Sequence, residues 1–578
     1  MSWNLKDKLQ KTIAQEQGTV IFAPGSRESF ALIYPNTYHV GMSNLGMHII
    51  YQKINSRGDT ACERVFLPDK KTEQEYIRTN TPLMTLETQR PIYEFSLLGF
   101  AVSFEMDYFN ILKILSLGKI PLLCSERKEN DPIIIAGGPC ATFNPEPLAD
   151  FIDVFIIGEG EEVINQLLDQ YYSCQGENLT KDEVLLRLSK VEGVYVPRFY
   201  VHSYNEDGTI SKIETVNGVP ERVNRRWVRD LDSHLANTVI VTSDTEFKEM
   251  YLIEVARGCG RHCRFCMAGY CFRRPRVRSL NKILDAVRQA KNLKAKVGLM
   301  GAAISDYPYI DELCETIINL GMGLSVASLR ADSLTNKLVA ALAESGQKTI
   351  TLAPEAASDR MRKIINKGIS DEHIYQSISQ AVKAGILNVR LYIMVGLPYE
   401  QDSDITEIIH MAENIKKYME KLGSKGKLTL SINPFIPKPS TPFQWLPMDD
   451  MKKVEHKLKI IQTGLKNKKG IEVLVESPKE AYIQGVLSRG DRRLGSVLMQ
   501  SHKLGGSKHF KKVLKEHNLQ EEFYLYRTRT REEKFPWQTM NIGFDDNYLY
   551  QELQKAELEK FTDPCVQGCV RCGICKKE

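Results

Sequence analysis

The sequence predicts an α/β protein: a doubly wound parallel sheet, then a curved partial barrel of six strand–helix units, then a mainly helical and irregular C-terminal region. Three observations predict it. Short, nearly continuous apolar runs recur and end in Gly, Pro or Asn, as strands buried on both faces do. Stretches with apolar residues on one helical face lie between them. Strands separated by helices imply parallel pairing through right-handed crossovers.

Phe30–Tyr34 (FALIY) stops at Pro35-Asn36, and Gly46–Lys53 reads as a helix. Leu97–Phe104 is the next strand, with a helix over Asp107–Leu117. Ile133–Ala136 ends in Gly137-Gly138-Pro139, and Val154–Ile157 ends in Gly158-Glu159-Gly160. Together these place a doubly wound domain at 1–174. Residues 175–247 read as a β-rich linker, with strands Val194–Val201 and Ile210–Val216 about the turn Glu206-Asp207-Gly208.

Alternation resumes over 248–446. Strands are predicted at Tyr251–Val255, Val297–Met300, Leu324–Ala327, Thr349–Leu352, Val389–Met394 and Leu428–Ile432. After the first, Leu280, Ile283, Leu284, Val287 and Leu293 share one helical face. Such a barrel carries its site at the carboxyl ends of the strands. Residues 447–578 hold a helical region and a cysteine-rich tail.

With 578 residues, 42% hydrophobic, 26% charged and a net charge of +5, the composition excludes a largely disordered chain and a dedicated polyelectrolyte binder. No apolar run approaches the roughly 20 residues of a membrane span. The start, MSWNLKDKLQKTIAQEQ, is mixed in charge and lacks an apolar signal core. A cytoplasmic protein with no membrane partner is expected. The 13 cysteines then favour metal or redox chemistry over disulfides.

Cys259, Cys263 and Cys266 follow the first barrel strand as CxxxCxxC. Three thiolates from one tight loop suit a cluster that normally takes four, and they leave one position open. Cys271 is a further thiol outside that loop. Cys565, Cys569, Cys572 and Cys575 crowd the tail, with Gly568 and Gly573 at the turns. Close thiolates repel unless a cation neutralises them. The compact spacing favours a second iron–sulfur cluster, with zinc as the other reading.

The motif Cys259-Gly-Arg-His-Cys263-Arg-Phe265-Cys266 resembles the radical S-adenosylmethionine (SAM) superfamily. That resemblance implies a partial (β/α)6 barrel, a 4Fe–4S cluster on the three cysteines, and SAM on the open iron, cleaved to a 5′-deoxyadenosyl radical by one electron. It also implies SAM contacts at Phe265, at Gly301 and Ala302 after the second strand, at Ser328 and Arg330 after the third, at Glu355 ending the fourth, and at Val395, Gly396 and Leu397 ending the fifth. A reducing partner such as flavodoxin or ferredoxin follows.

The runs Ile133–Pro139, Asn144-Pro-Glu-Pro and Ile156–Glu161 resemble the cobalamin-binding-type, Rossmann-like domains fused to radical SAM cores. On that resemblance Gly41, Gly137, Gly138, Gly158 and Gly160 let backbone approach a corrin. The Asp-x-His-x-x-Gly loop of many such domains is missing, and His39 and His48 read as ordinary loop and helix residues. Ser431–Phe443 and Ser488–Arg493 resemble one subfamily with both features. The proline-rich segment reads as a rigid mouth loop or an exposed crossover.

Arg527, Arg529 and Arg531, near Tyr524, Tyr526 and Trp537, read as a solvated face or as an RNA-binding patch. Arg273, Arg274, Arg276 and Arg278 carry the same two readings, with service to SAM or cobalamin as a third. The preferred function is cobalamin-dependent methylation of an unactivated carbon in a small molecule, RNA or peptide. The alternatives are a cobalamin-independent enzyme modifying tRNA or rRNA, for example by sulfur insertion from the tail cluster, and a non-catalytic iron–sulfur carrier or scaffold. Cys62, Cys124 and Cys140 do not match the cluster-binding layout of methylthiotransferases.

Overall fold

The computed structural model describes residues 2–234, 236–248, 250–293, 296–566 and 568–577. The chain divides into two compact units. Unit one is Met1–Glu249, Leu487–Phe523 and Glu532–Gly543; unit two is Met250–Val486, Tyr524–Arg531 and Phe544–Glu578. The C-terminal region is therefore shared between both.

Unit one is built on a six-stranded sheet. Its strands are β1 (Glu28–Tyr34), β2 (Thr60–Phe66), β3 (Leu97–Ala101), β4 (Ile133–Gly137), β5 (Val154–Ile156) and β6 (Val194–Tyr195). Their order is β2-β1-β3-β4-β5-β6, all parallel except β6, which runs against β5. The order reverses between β1 and β3, which makes that junction the topological switch point of the sheet.

β2 is not evident from its sequence, because Glu63 and Arg64 interrupt its apolar run. Both are buried, and each has partners: Arg64 pairs with Glu16 at 2.6 Å and Glu87 at 2.7 Å, and Glu63 accepts from Thr85 and Thr88. The expected strand Val194–Val201 is broken at Pro197, which has no N–H for a ladder. Its first part is β6. Its last residues join the hairpin Tyr200–Tyr204 with Ile210–Thr215.

The Ser488–Arg493 motif packs inside unit one. Asn144 donates to the carbonyls of Ser488 and Gly490, and Arg492 pairs with Glu146 at 2.9 Å. Met540–Asn541 pairs in parallel with Val223–Asn224.

Unit two contains seven parallel strands: β7 (Met250–Glu254), β8 (Lys296–Met300), β9 (Leu324–Val326), β10 (Thr349–Glu355), β11 (Asn388–Val395), β12 (Leu428–Pro434) and β13 (Ile471–Val475). They form sheets β7-β8-β9 and β10-β11-β12-β13, joined by a parallel bridge between Leu329 and Leu352. β10 and β11 alternate buried and half-buried residues, as a barrel wall with two different faces does.

The helix Leu280–Asn292 begins at Ser279, whose side chain caps Lys282 N–H. It buries Ile283, Ala286, Val287 and Ala290. Leu293, expected on that face, lies past the helix end and is exposed. β13 adds a strand to a region read as helical. The proline-rich segment is no exposed crossover, because Phe435, Pro437, Pro439 and Thr441–Leu446 are buried. Among the described residues no helix is long and apolar enough to cross a membrane.

Candidate metal and cofactor site

Strands β7–β13 of unit two pair in parallel, so their carboxyl ends share one edge, and the short hairpin Ala256–Arg257 with Arg276–Val277 lies beyond β7. The loop bearing Cys259, Cys263 and Cys266 leaves β7 at this edge. Gly301 and Ala302 follow β8, Ser328 and Arg330 follow β9, Glu355 ends β10, and Val395, Gly396 and Leu397 lie at the end of β11. The topology brings every predicted SAM-site residue to that edge.

Gly258 starts the cysteine loop at φ +79°, and a Cβ there would stand 2.1 Å from the Phe272 carbonyl oxygen. Only glycine fits. Cys266 N–H donates to Cys263 O, closing the second half of the loop as a turn. His262 also has positive φ, +55°. Its position is held from outside the loop: Asn366 Nδ2 donates to the carbonyls of Arg261 and His262, each at 3.2 Å. Arg264, between two of the cysteines, points away from them. It is fully buried and reaches Glu552 at 3.3 Å and the carbonyls of Lys363, Ile364 and Lys560.

The three thiols are mutual neighbours. Burial, then Cys263 and Cys259, pushes Cys266 up to about 12; burial, then Cys263, raises Cys259. Thiols that oppose one another's ionisation call for a cation among them. No three His, Cys, Asp or Glu side chains among the described residues converge tightly enough to hold one ion. Iron–sulfur cubanes spread their thiolates over several irons, and the loop fits such a group better than a single ion. Cations stand beside it, as an anionic cluster requires: Arg330 lies near Cys259 and Cys263, and Lys367 near Cys266.

Arg330 is held by both oxygens of Asp332, at 2.9 and 3.0 Å, and donates to Lys367 O. Ser328, Gly301 and Ala302 are exposed at the strand ends. Glu355, with φ +66°, meets Lys367 Nζ at 3.2 Å, and that ammonium lies 5.9 Å from the centre of the Phe265 ring. Lys367 is the residue the sequence reading missed. Its only signal is a lone lysine before Gly368, which has φ +66°. The 395–397 turn is braced from within: the N–H groups of Gly396 and Leu397 serve the Glu400 carboxylate, and Val395 O accepts from Phe435 N. These backbone groups are engaged by the chain itself rather than left open for adenine.

Arg278 pairs with Glu254 at 2.9 Å, and Arg273 and Arg276 are buried. Arg529, Tyr524 and Trp537 are buried too, so they form neither a solvated face nor a stacking platform for bases.

The tail folds back onto the cysteine loop. Cys565 N–H donates to Gly260 O at 2.8 Å. His262 Nε2 lies 3.2 Å from Cys565 Sγ, and His262 Nδ1 meets the Tyr548 hydroxyl. Burial and the surrounding cations Arg273, Arg571, Lys555 and Arg264 push His262 down to about 2. Cys572 is buried with Tyr270, Tyr548 and Ile574. Gly568 and Gly573 have the positive φ their turns need, +79° and +84°.

In unit one the predicted corrin-approach glycines divide. A Cβ at Gly41 would meet the Phe66 ring at 2.5 Å, at Gly138 the Val102 carbonyl at 2.7 Å, and at Gly158 the Arg226 carbonyl at 2.0 Å. The chain itself demands glycine there. A Cβ at Gly160 would lie 3.0 Å from Ile50, while one at Gly137 would meet nothing nearer than 3.8 Å. His48 is buried, bonded to Met42 O and to the Val239 and Ile240 N–H groups, and His39 is held by Asp244. Neither is free for a metal.

The family model "Radical SAM proteins, N-terminal" matches residues 46–197, and "Radical SAM superfamily" matches residues 253–412. The chain is 31% identical over 486 residues to uncharacterized protein MJ0966 of Methanocaldococcus jannaschii, covering 82% of this chain and 90% of that one. It is 23% identical over 299 residues to an uncharacterized methyltransferase, PH0819, of Pyrococcus horikoshii, covering 49% and 58%. The structure of the radical SAM methyltransferase TsrM from Kitasatospora setae, with cobalamin and a 4Fe–4S cluster bound, aligns at 12% identity and TM-score 0.48 over 85% of this chain and 99% of that one. With the cysteine loop and strand-end site in place, the chain belongs to the radical SAM superfamily.

Proposed function

We propose that this radical SAM enzyme methylates an unactivated carbon, with cobalamin held at the strand ends of unit one. Its family membership brings a 4Fe–4S cluster and SAM. When bound, the cluster supplies one electron to SAM, and SAM supplies the radical or the methyl group. Cys259, Cys263 and Cys266 hold the cluster and leave one iron for SAM. Lys367 and Glu355 bear polar groups beside Phe265 at the strand-end edge, and Arg330 is held in place there by Asp332.

The observation that carries the cobalamin reading is the switch point between β1 and β3, where open α/β sheets bind nucleotide-bearing ligands. Polar groups gather there: Asn36 donates to Asp107 at 2.9 Å, Asn110 to Pro35 O at 2.9 Å, and Asn44 to Ser103 at 3.4 Å. Phe104 is 44% exposed beside them. With His39 and His48 engaged, these residues fit a corrin that takes no histidine from the protein. The name of the Pyrococcus relative supports methyl transfer. The buried Arg529, Tyr524 and Trp537 weigh against the RNA-binding patch.

The test is anaerobic purification from cells supplied with cobalamin, with cobalt, iron and 5′-deoxyadenosine measured on one sample. Stoichiometric cobalt, lost in Gly137→Leu while iron is retained, is expected. Full iron and SAM cleavage without cobalt would overturn the cobalamin reading and leave the superfamily assignment intact.

A further inference from the structure

The tail is joined to the cysteine loop at several points. Thr562 N–H donates to Asn366 Oδ1 at 2.7 Å, and the same side chain donates to Arg261 O and His262 O. Cys565 N–H bonds Gly260 O, and Arg273 Nη2 reaches both Cys259 O at 3.2 Å and Cys565 Sγ at 3.6 Å. Arg571 closes the tail on itself through the carbonyls of Asp563 and Pro564. Cys569 and Cys572 both act on the Cys565 thiol.

His262 stands between the two cysteine sets. Arg273 Nη1 lies 3.0 Å from its Nδ1. A guanidinium only donates, so Nδ1 is the acceptor. The ring proton is then on Nε2, which points at Cys565 Sγ, 3.2 Å away. One residue of the loop thus donates a hydrogen bond to a sulfur of the tail while adjoining Cys263 in sequence. Hydrogen bonds to cluster sulfurs tune a centre's potential.

We propose that Cys565, Cys569, Cys572 and Cys575 hold a second iron–sulfur cluster that receives electrons and passes them, through the Cys565–His262 and Cys565–Gly260 contacts, to the cluster on Cys259, Cys263 and Cys266. The proposal rests on the radical SAM assignment for the second of these. A reduced ferredoxin- or flavodoxin-type protein loses one electron, and the tail cluster gains it. The tail cluster is reoxidised as the loop cluster is reduced. No bond or proton changes in either transfer. The bond broken afterwards is the sulfonium C5′–S bond of SAM, which takes up that electron and yields methionine and the 5′-deoxyadenosyl radical.

The experiment uses the full chain reconstituted anaerobically, with iron, sulfide and zinc counted, and electron paramagnetic resonance recorded after reduction. It compares a loop variant (Cys259, Cys263 and Cys266 to Ala), a tail variant (Cys565, Cys569, Cys572 and Cys575 to Ala) and His262→Leu. About eight irons are expected in the parent and about four in each cysteine variant. The doubly reduced parent shows a spectrum broadened by coupling between two clusters, and each cysteine variant shows a single unbroadened signal. Reduction of the remaining loop cluster by reduced flavodoxin slows at least ~10-fold in the tail variant, by the loss of a contacting donor. His262→Leu, which keeps both iron sets and has no donor for Cys565 Sγ, shifts the tail cluster to a more negative potential.

Zinc in the tail, an uncoupled parent spectrum, or unchanged reduction by flavodoxin in the tail variant would overturn the relay. A loop variant that keeps all its iron would instead strike at the radical SAM assignment, so the two failures are distinguishable.

Discussion

The carboxylate of Glu552 lies 3.3 Å from both Nε and Nη2 of Arg264, and neither side chain reaches solvent. Arg264 belongs to the cysteine loop and Glu552 to the helix Tyr548–Glu557 that leads into the tail. The same guanidinium satisfies three backbone carbonyls. Breaking one member of such a buried pair costs about 3–5 kcal/mol. Glu552→Ala is therefore expected to detach the tail before unit two unfolds. Limited proteolysis would show early cleavage after residue 560, together with a lower melting temperature.

Lys367 carries the second prediction. Its ammonium lies beside Glu355 and over Phe265, at the strand-end edge proposed above for SAM. A charge-assisted hydrogen bond contributes about 1.5–3 kcal/mol, a factor of about 10 or more in affinity. Lys367→Met is expected to weaken SAM binding by at least that factor while the iron content stays at the parent level. Titration calorimetry on the reconstituted protein reads the affinity. Unchanged binding would place Lys367 outside the SAM site.

Gly258 gives the third. An alanine there would need φ +79° and would place its Cβ 2.1 Å from the Phe272 carbonyl. The strain costs about 1–3 kcal/mol before the collision is counted. Gly258→Ala is expected to lose most of the iron of the loop while circular dichroism stays near that of the parent. Normal iron loading would show that the loop can rearrange.

The fourth concerns acid stability. Burial, above all, pushes His48 down to about 4 from 6.5. Its folded pKa lies below its unfolded one, so the unfolded chain binds the extra proton between those values. Stability is present above pH 6.5 and is lost as pH falls toward 4, by about 2 kcal/mol at pH 5. Asp107, pushed up to about 6 by burial, works the other way and gains stability as pH falls. The comparison with His48→Gln isolates the histidine. The variant, whose amide can both donate to Met42 O and accept from Val239, is expected to lose less stability than the parent between pH 7 and pH 5 in urea titrations. Parallel losses would refute the assignment.

Much of the fold is legible in the sequence because buried parallel strands are almost wholly apolar. Ile133–Ala136 and Val154–Ile157 needed no other signal. β2 escaped because Arg64 is neutralised by Glu16 and Glu87, and Glu63 is hydrogen-bonded by Thr85 and Thr88, more than 20 positions away, which no local pattern records. β13 escaped because its side chains remain largely in solvent and look like the polar helices around them. The three loop cysteines stand out by their spacing, since they lie within eight residues of one another. Lys367 could not, because it acquires meaning only from Glu355 and Phe265 once the strands are assembled. The docking of Cys565 on His262 bridges 303 positions and has no local trace.

The pairing of Met540–Asn541 with Val223–Asn224 also bears on how the protein is made. A growing polypeptide leaves the ribosome from its N-terminus, and domains ordinarily fold as they emerge. Unit one cannot finish in that way. Its last segment, Glu532–Gly543, is synthesised after almost all of unit two. During the interval Val223–Asn224 stands without its partner strand, Asn144 lacks the carbonyls of Ser488 and Gly490, and Glu146 lacks Arg492. Completion of the first half of the molecule is thus a late, long-range event. Chaperone dependence and sensitivity to premature termination should both be concentrated in that interval of translation.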